Sequence, residues 1–250
     1  MTANLELANL HIRVTRKAVR NLHLSVNPPD GTVRITAPDW MGTDSIRLFA
    51  INKLGWIRRE QKKMRAQERE TPREYIEDES HYVWGQRYLL HIIEHDASPA
   101  VSLTARHLVL RLRPGTETAE REAILYAWYR EEMRRAIADL LAEWQPRVGR
   151  VANRVFIQRM KTKWGSCNTR RGHIRLNSEL ARKPRKCLEY VLLHEMMHLR
   201  EPTHNSNFIA LMDALMPHWR DRRDVLNRLP VRNEDFRGQV PEPGQSRPRK

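Results

Sequence analysis

Short runs of alternating apolar and polar residues dominate the first part of the chain, and this alternation is typical of half-buried β-strands. The runs LHLSV and VRITA flank the turn sequence NPPDGT, so residues 22–37 are predicted to form a β-hairpin. LHIRV at residues 10–14 predicts a further strand. The run HYVWGQRYLLHIIEH predicts a second hairpin that turns near Gly85, and AVSLTARHLVLRLRPG at residues 100–115 predicts two more strands.

Helical spacing of apolar residues interrupts these strands once. The spacing begins after Thr43, a residue type that caps helix N-termini, and the predicted helix continues as a charged stem through RREQKKMRAQERE. Its apolar positions are Ile46, Ala50, Leu54 and Ile57. The first part of the chain is therefore predicted to be rich in strands, with one helix.

After residue 115 the pattern becomes mainly helical. A long amphipathic helix is predicted from Thr116, and Pro146 and Gly149 are expected to end it. Two short strands, RVFIQ and GHIRLN, flank the loop KTKWGSCNTRR. Pro184 opens the next helix, which Pro202 stops.

A last predicted helix carries Phe208, Leu211, Met212 and Leu215. These elements predict an α+β fold in which a strand-rich N-terminal region, residues 1–115, precedes a catalytic domain, residues 116–230. That domain is expected to combine an active-site helix with a small antiparallel sheet. Residues 231–250 are rich in Pro and charge and are predicted to form a disordered basic tail.

Composition places the protein in a reducing compartment away from membranes. The chain has only two cysteines, Cys167 and Cys187, which is too few for a disulfide framework. The N-terminus MTANLELANLHIRV has no basic segment followed by an apolar run, and no apolar run reaches the roughly 18 residues that a membrane span requires. We therefore expect a soluble, cytoplasmic protein with no membrane partner.

The charge is unusually positive, with a formal net charge of +15 over 250 residues. Between Arg147 and Lys186 the chain has thirteen lysines and arginines and one acidic residue, Glu179. We call this stretch, residues 147–186, the basic region. It is either a solvated surface that maintains solubility or a surface for nucleic acid or another phosphate-bearing partner.

Three histidines and a glutamate follow the basic region closely, in the run HEMMHLREPTH. His194 and His198 are four residues apart, so on a helix both imidazoles lie on one face and reach one ion. A catalytic zinc takes three protein ligands and keeps a fourth position for water. His204 supplies the third ligand, because Pro202 ends the helix and lets the chain return. Glu195 is placed to act as general base toward that water.

A metzincin site and a purely structural zinc site are the alternatives to this interpretation of the run. The spacing of the third histidine is that of metzincins, but Glu201 stands where those enzymes carry glycine, and the following Pro202 favours an extended backbone at Glu201. We therefore do not assign the chain to the metzincins. Structural zinc sites normally have four protein ligands and include cysteines. A structural site would tolerate the loss of Glu195.

Several stretches together resemble the YgjP-like metallopeptidase-domain family, relatives of the SprT-like zincins. These are RMKTKWGSC, GHIRLN, YVLLHEMMHL, His204 with Phe208 four positions later, and MPHWRDRRDVL, and the likeness extends from about residue 10 to residue 228. Asn205 departs from the serine that the family usually carries there. The resemblance implies a zincin-like fold with zinc on His194, His198 and His204 and with Glu195 as the catalytic acid and base.

The same resemblance places the KTKWGSC loop and the GHIRLN strand beside the active-site helix. Ser166, Arg175 and Asn177 are accordingly candidates for substrate binding. Trp164 either fills space beneath the site or contacts substrate, and it is the fourth candidate. His173, His218 and Arg175 are the candidates for stabilising the transition-state oxyanion.

Two classes of substrate remain open at this stage. The leading hypothesis is a zinc peptidase in which GHIRLN offers a strand edge to an extended peptide or protein substrate. The alternative is a metal-dependent pyrophosphohydrolase of nucleoside triphosphates such as UTP, since the family also carries nucleotide-pyrophosphatase descriptions and arginines of the basic region would hold phosphates. A third possibility follows from the SprT-like relatives, which act on protein attached to DNA.

Overall fold

The computed structural model describes residues 2–27, 31–66, 69–70, 73–160 and 163–232. It is a mixed α+β structure whose internal contacts divide it into two compact units, residues 1–71 with 230–237 and residues 72–229 with 238–250. Among the described residues no helix is both long and apolar enough to cross a bilayer. The division between residues 71 and 72 does not coincide with the boundary predicted at 115 and 116.

The first unit contains a four-stranded mixed sheet with strand order β1-β2-β4-β3. The strands are β1 (Thr2–Leu7), β2 (Leu10–Lys17), β3 (His23–Asn27) and β4 (Thr32–Pro38). β3 and β4 are antiparallel, with Val26 opposite Val33, which confirms the predicted hairpin. Most of the turn NPPDGT lies outside the described residues. The strand LHIRV is confirmed as β2, whereas β1 was not predicted.

Two helices cover this sheet where the sequence predicted one. They are α1 (Thr43–Asn52) and α2 (Leu54–Ala66), and Lys53 between them leaves helical geometry, with φ −103° and ψ 1°. Ile46, Ala50 and Ile57 are buried against the sheet, as their spacing predicts. A short strand β5 (Arg69–Glu70) pairs in parallel with Val231–Arg232, the last strand of the chain.

The second unit begins with another four-stranded mixed sheet, of order β6-β7-β9-β8. Its strands are β6 (Ser80–Val83), β7 (Gln86–Glu94), β8 (Ala100–Leu103) and β9 (His107–Leu112). β6 and β7 form the predicted hairpin, and β8 and β9 are the two further predicted strands. The turn requires glycine at Gly85, because φ is +82° there and a Cβ atom would lie 2.8 Å from Pro184 Cγ.

The β6-β7-β9-β8 sheet is hydrogen-bonded to the helical part of the chain. The boundary between the two units therefore lies before this sheet, between residues 71 and 72. The long helix α3 (Thr118–Val148) donates a hydrogen bond from the Tyr129 hydroxyl to the Tyr82 carbonyl over 2.9 Å. Trp84 N–H donates to the Ala181 carbonyl over 2.8 Å. Pro146 lies inside the last turn of α3, and the helix ends only at Gly149, whose φ is +68°.

A three-stranded mixed sheet positions the functional site. Its order is β10-β12-β11, for β10 (Arg154–Gln158), β11 (Gly165–Asn168) and β12 (His173–Asn177). β10 is parallel to β12, and β11 is antiparallel to it. β10 and β12 were predicted, whereas residues 165–168 were predicted to be loop. Because β11 occupies one side of β12 and β10 the other, the GHIRLN strand is central and has no free edge.

The remaining elements are a 3-10 helix (Ser178–Arg182) and three α-helices, α4 (Arg185–Met197), α5 (Ser206–Leu215) and α6 (Trp219–Arg228). α4 begins directly after Pro184, and α5 is the predicted helix that carries Phe208. Val231–Arg232 form the last strand, β13, so the predicted disorder is wrong for these two residues. Residues 233–250 of the predicted tail lie outside the described part.

Candidate metal centre

Helix α4 places the first two histidines and the glutamate in the interior of the second unit. Ten of its thirteen residues are buried, from Cys187 to Met197. His194 and Glu195 are only 2% and 6% exposed. His198 is the C-cap, with φ −63° and ψ −19°, so the backbone stays near helical geometry and the four-residue spacing keeps both imidazoles on one face.

A tight turn after α4 returns the third histidine to the first two. The turn is held by Glu201, whose carboxylate accepts a hydrogen bond from the Thr203 hydroxyl over 3.0 Å. Asn205 then caps α5, since its side-chain oxygen accepts from Phe208 N–H over 3.0 Å. The asparagine at this departure from the family pattern thus has a capping role. Glu201 is not among the residues with positive φ, in agreement with the sequence argument against a metzincin.

The three imidazoles converge. One ring nitrogen of each histidine lies within 4.8 Å of those of the other two, and the group contains no carboxylate. Nε2 of His194 and Nε2 of His204 are 2.9 Å apart. His198 directs Nδ1 to the carbonyl oxygen of Glu201 at 3.1 Å, and donation of a hydrogen bond there leaves Nε2 with a lone pair that faces the other rings.

The surroundings favour the uncharged imidazoles that a metal ion requires. Burial, with smaller contributions from His198 and His204, holds the pKa of His194 well below its usual value. Burial and the neighbouring His198 lower the pKa of His204 to about 4. His194 Nδ1 is buried with no hydrogen-bond partner among the described residues. Three neutral nitrogens that face one another, with no acid between them, fit a soft or borderline cation such as zinc.

An aromatic ring closes one side of this group. Phe208 is fully buried, and its ring centroid lies 5.0 Å from that of His194, 4.9 Å from His198 and 4.8 Å from His204. The ring therefore excludes water from one side of the imidazoles and fixes their orientation. Helical spacing identified Phe208 only as a core position. The sequence feature that could have predicted its contact with the histidines is its place four residues after His204.

Glu195 is held against the backbone of β11. A Cβ atom at position 165 would lie 2.7 Å from Glu195 Oε1 and 2.9 Å from Val191 Cγ1, so only glycine fits there. Burial raises the pKa of Glu195 to about 8, and the charge of Lys163 partly offsets that effect. This carboxyl group is thus buried, adjacent in sequence to His194 and able to hold or release a proton near neutral pH.

Lys163 influences this site electrostatically, which the sequence argument did not predict. Its charge lowers the pKa of both Glu195 and His198, although burial is the larger influence on each. The side chain is exposed, so its ammonium is accessible to a substrate as well. The sequence shows Lys163 only as one of thirteen basic residues, and nothing in its spacing distinguishes it from the others.

Two of the four predicted substrate-binding residues are core residues instead. Trp164 is 1% exposed, which corrects its assignment as a substrate contact and agrees with the alternative that it fills space beneath the site. Asn177 is completely buried. Its side-chain amide donates to the carbonyls of Met160 at 2.9 Å and Lys163 at 3.0 Å, so it fixes the loop before β11 and cannot reach a substrate.

The other two candidates lie on the face of the sheet that points away from Glu195. Ser166 is directly opposite Arg175 in the β11–β12 register. Since neighbouring residues of a strand point to opposite faces and Gly165 faces Glu195, Ser166 and Arg175 face away from the metal centre. The Arg175 guanidinium lies over the ring of Phe156, 5.6 Å from its centroid.

The structure also places two of the three predicted oxyanion candidates away from the three imidazoles. Arg175 faces away from them, and His173 packs edge-on against Phe156 with centroids 5.5 Å apart. His218 is exposed and lies 3.7 Å from Asp221. The predictions for Arg175 and His173 failed because strand register depends on tertiary pairing, and register determines which side chains face the three imidazoles.

Some arginines of the basic region are paired with acidic residues. Arg182 is buried in an ion pair with Glu179, with Nη1 and Oε2 3.0 Å apart. Arg159 pairs with Glu122 and Arg185 with Asp139, each over 2.8 Å. Three of the thirteen basic residues are therefore paired with acidic residues, two of which, Glu122 and Asp139, are distant in sequence, and a count over residues 147–186 cannot show this.

Comparison with known proteins shows the family of this chain. The family model of the YgjP-like metallopeptidase domain matches residues 20–229. A solved structure, the metallopeptidase zymogen of Pyrococcus abyssi abylysin, is 24% identical over 38% of this chain and 99% of that chain, with a TM-score of 0.34. No curated protein matches the chain significantly. Since the family model covers most of its length, the chain belongs to the YgjP-like metallopeptidase-domain family.

Proposed function

We propose that the chain is a zinc-dependent peptidase with a zincin-like catalytic domain, in which His194, His198 and His204 hold the ion and Glu195 is the general base. The observation that carries this proposal is the convergence of three imidazole nitrogens within 4.8 Å, next to a buried glutamate one residue from the first histidine. A bound zinc ion would acidify a water molecule and polarise the scissile carbonyl.

The chain's own residues supply the other parts of a hydrolytic site. Glu195, held in place by the lack of a side chain at Gly165, accepts the proton of the attacking water and delivers it to the leaving amine. The positive charge of Lys163, which influences both Glu195 and His198, would stabilise the negative charge that develops on the carbonyl oxygen. Phe208 and the buried face of α4 keep solvent away from the imidazoles.

The edge of β11 supports peptide as the substrate. β11 is an edge strand of its sheet, and its Gly165 contacts Glu195, so an extended peptide paired with this edge passes the catalytic carboxylate. This role replaces the one predicted for GHIRLN, which forms the central strand. Glycine at the point of contact lets the backbone approach closely.

Hydrolysis of nucleoside triphosphates is less well supported by the same site. Phosphoryl transfer commonly recruits magnesium or manganese through carboxylates, whereas this group of potential ligands consists of histidines alone. Three arginines of the basic region that motivated the nucleotide hypothesis, Arg159, Arg182 and Arg185, are in ion pairs. We therefore propose peptide rather than nucleotide as the substrate class.

The test compares the zinc-loaded protein with its Glu195→Gln variant on two substrates, an unfolded casein-type protein and UTP. We expect the protein substrate to be cut by the wild type and to be cut at least roughly a thousandfold more slowly by the variant at equal zinc content. Pyrophosphate release from UTP that depends on Glu195, with no proteolysis, would replace the peptidase proposal. Equal proteolysis by both proteins would show that Glu195 is not the base.

A further inference from the structure

The second unit has a groove at the other edge of the three-stranded sheet, away from the metal centre. The groove has a volume of about 460 Å³ and lies between helix α3 and strand β10. The α3 residues that line it are Tyr126, Arg130 and Arg134, which are four residues apart and so share one face of the helix. The other wall is residues 154–158, the whole of β10.

The β10 wall includes a free strand edge. β10 pairs with β12 only, so in the described structure its second edge has no strand partner. All five consecutive residues line the groove, although their side chains alternate between the two faces of the sheet. The groove therefore runs along the main-chain edge of β10 and presents unpaired N–H and C=O groups to an extended chain.

The side chains that line the groove are strongly positive. Arg130, Arg134 and Arg154 line it, and no acidic residue does. Arg134 forms an ion pair with Glu131, whereas Arg130 and Arg154 have no carboxylate partner among the described residues. Arg130 Nε is buried and has no hydrogen-bond partner in the described structure. Two of the three guanidiniums are therefore available to an anionic ligand.

Aromatic rings hold these arginines in position. The guanidinium of Arg154 lies over Phe156 at 5.1 Å from the ring centroid, and that of Arg130 lies over Tyr126 at 5.8 Å. Arg175 and Arg159 also contact these two rings, at 5.6 Å and 4.8 Å. Guanidiniums that are already stacked on a ring lose less side-chain entropy when they bind an anion. This lower entropic cost favours the binding of negatively charged groups in the groove.

The same contacts distinguish between two kinds of anionic chain. Proteins that bind single-stranded nucleic acid stack bases on exposed aromatic faces, but each of the two rings in this groove already carries two arginines. The free strand edge provides instead what an extended peptide requires, a row of main-chain hydrogen-bonding groups. Charge and edge together favour an acidic peptide.

We propose that the groove between α3 and β10 binds an extended acidic peptide segment, which adds a strand to the β10 edge and places its carboxylates on Arg130 and Arg154. The site is separate from the metal centre, because β10 and β11 are opposite edges of the sheet. It gives the chain a second surface for an extended acidic segment of a protein substrate. The inference does not depend on catalytic activity.

Binding is measured by fluorescence anisotropy with a labelled peptide of alternating Glu and Val, on the Glu195→Gln protein so that the probe is not cut. We expect saturable binding that weakens as salt increases. The Arg130→Gln/Arg154→Gln double variant should bind at least roughly tenfold more weakly. Methylation of alternate peptide nitrogens leaves the charge unchanged and should weaken binding by a similar factor, because it blocks strand pairing.

Two single-site controls show where the probe binds. Arg170→Gln removes an exposed arginine of the basic region outside the groove, and Lys163→Met alters the metal centre, so neither should change the affinity. Tighter binding of a thymidine oligonucleotide of equal charge would overturn the proposal in favour of nucleic acid. Failure of the peptide to bind, or equal affinity for the methylated peptide, would also overturn it.

Discussion

Two buried histidines in the described part of the second unit, His81 and His194, differ in what their ring nitrogens face. His81 is fully buried, and its Nδ1 lies 3.0 Å from Arg73 while its Nε2 lies 2.9 Å from Glu79. Both nitrogens of His81 are therefore satisfied by protein groups. At His194, Nδ1 has no partner in the described structure and Nε2 faces another imidazole.

This difference separates a structural histidine from a ligand. A buried polar atom without a partner costs roughly 1–3 kcal/mol, and Nδ1 of His194 carries that cost, whereas the converging nitrogens of the three rings are placed to share one ion. His81 needs nothing beyond its two neighbours. The comparison predicts that metal binding matters to the three-histidine group alone and leaves His81 unaffected.

Among these predictions, the largest effect on activity is expected when one of the three histidines is removed. In His198→Ala we expect proteolysis to fall more than roughly a thousandfold, because two histidines no longer hold the ion in place. A chelator should lower the thermal midpoint of the wild type and leave that of the variant unchanged, since only the wild type has bound metal to lose. Scanning calorimetry with and without chelator gives this comparison, and an equal shift in both proteins would contradict it.

A methyl group at Gly165 should harm the position of Glu195 but not the histidines. The added Cβ atom would overlap Glu195 Oε1 and Val191 Cγ1, so we expect kcat to fall roughly a hundredfold while zinc content stays the same. The matched control is Gly42→Ala, because a Cβ atom there meets nothing within 4 Å. Loss of zinc from Gly165→Ala would show instead that the glycine supports the whole site.

Substitution of Lys163 tests whether a residue outside the run HEMMHLREPTH contributes to catalysis. If its ammonium stabilises the developing oxyanion, Lys163→Met should lower kcat roughly tenfold to a hundredfold with little change in KM. Lys163→Arg should restore part of the rate, which a merely structural role would not predict. Lys186→Met removes an equally exposed charge and serves as the control. An unchanged kcat in Lys163→Met would exclude the role.

The smallest of the expected effects is that of His81, whose protonation should change the free energy of unfolding and not the activity. Burial and the charge of Arg73 lower the pKa of His81 from 6.5 to about 4, against the opposing influence of Glu79, while Arg182 contributes in the same direction as Arg73. The unfolded chain therefore binds more protons than the folded one between these two values. The stability that His81 contributes is complete above pH 6.5 and is lost as pH falls toward 4.

The effect appears as a difference between two urea titrations. Between about pH 7 and about pH 5 the wild type should lose on the order of 1 kcal/mol that His81→Gln does not lose. His11→Gln, which alters an exposed histidine, should behave as the wild type does. A pH dependence that is identical in all three proteins would show that His81 does not titrate in this way.

The local part of the site could be predicted from the sequence. Helical spacing alone brings His194 and His198 together, and Pro202 indicates a turn that returns His204. Zinc binding by these residues stays a prediction, although the structure brings the three rings together. The paired strands β3–β4 and β6–β7 were likewise predicted, since their alternation and turn residues are local signals.

What depends on tertiary contacts was predicted less well. The residues of β11, Gly-Ser-Cys-Asn, include no β-branched or aromatic side chain, so only pairing with β12 makes them a strand. Without β11 the wrong strand was assigned the substrate edge, and Ser166 and Arg175 were placed near the ion. Asn177 was misassigned for a related reason, because burial follows from packing that no local pattern shows, and the same burial decides between the two roles left open for Trp164.

The most direct test of the central claim is the zinc stoichiometry of the wild type and of His204→Ala, measured by competition with a chromophoric chelator. His204 is the most informative of the three, because it lies outside helix α4 and reaches His194 and His198 only through the turn after that helix. We expect about one tightly bound zinc per wild-type chain and an affinity at least roughly a hundredfold lower in His204→Ala. Equal affinity in the two proteins would contradict a three-histidine metal centre.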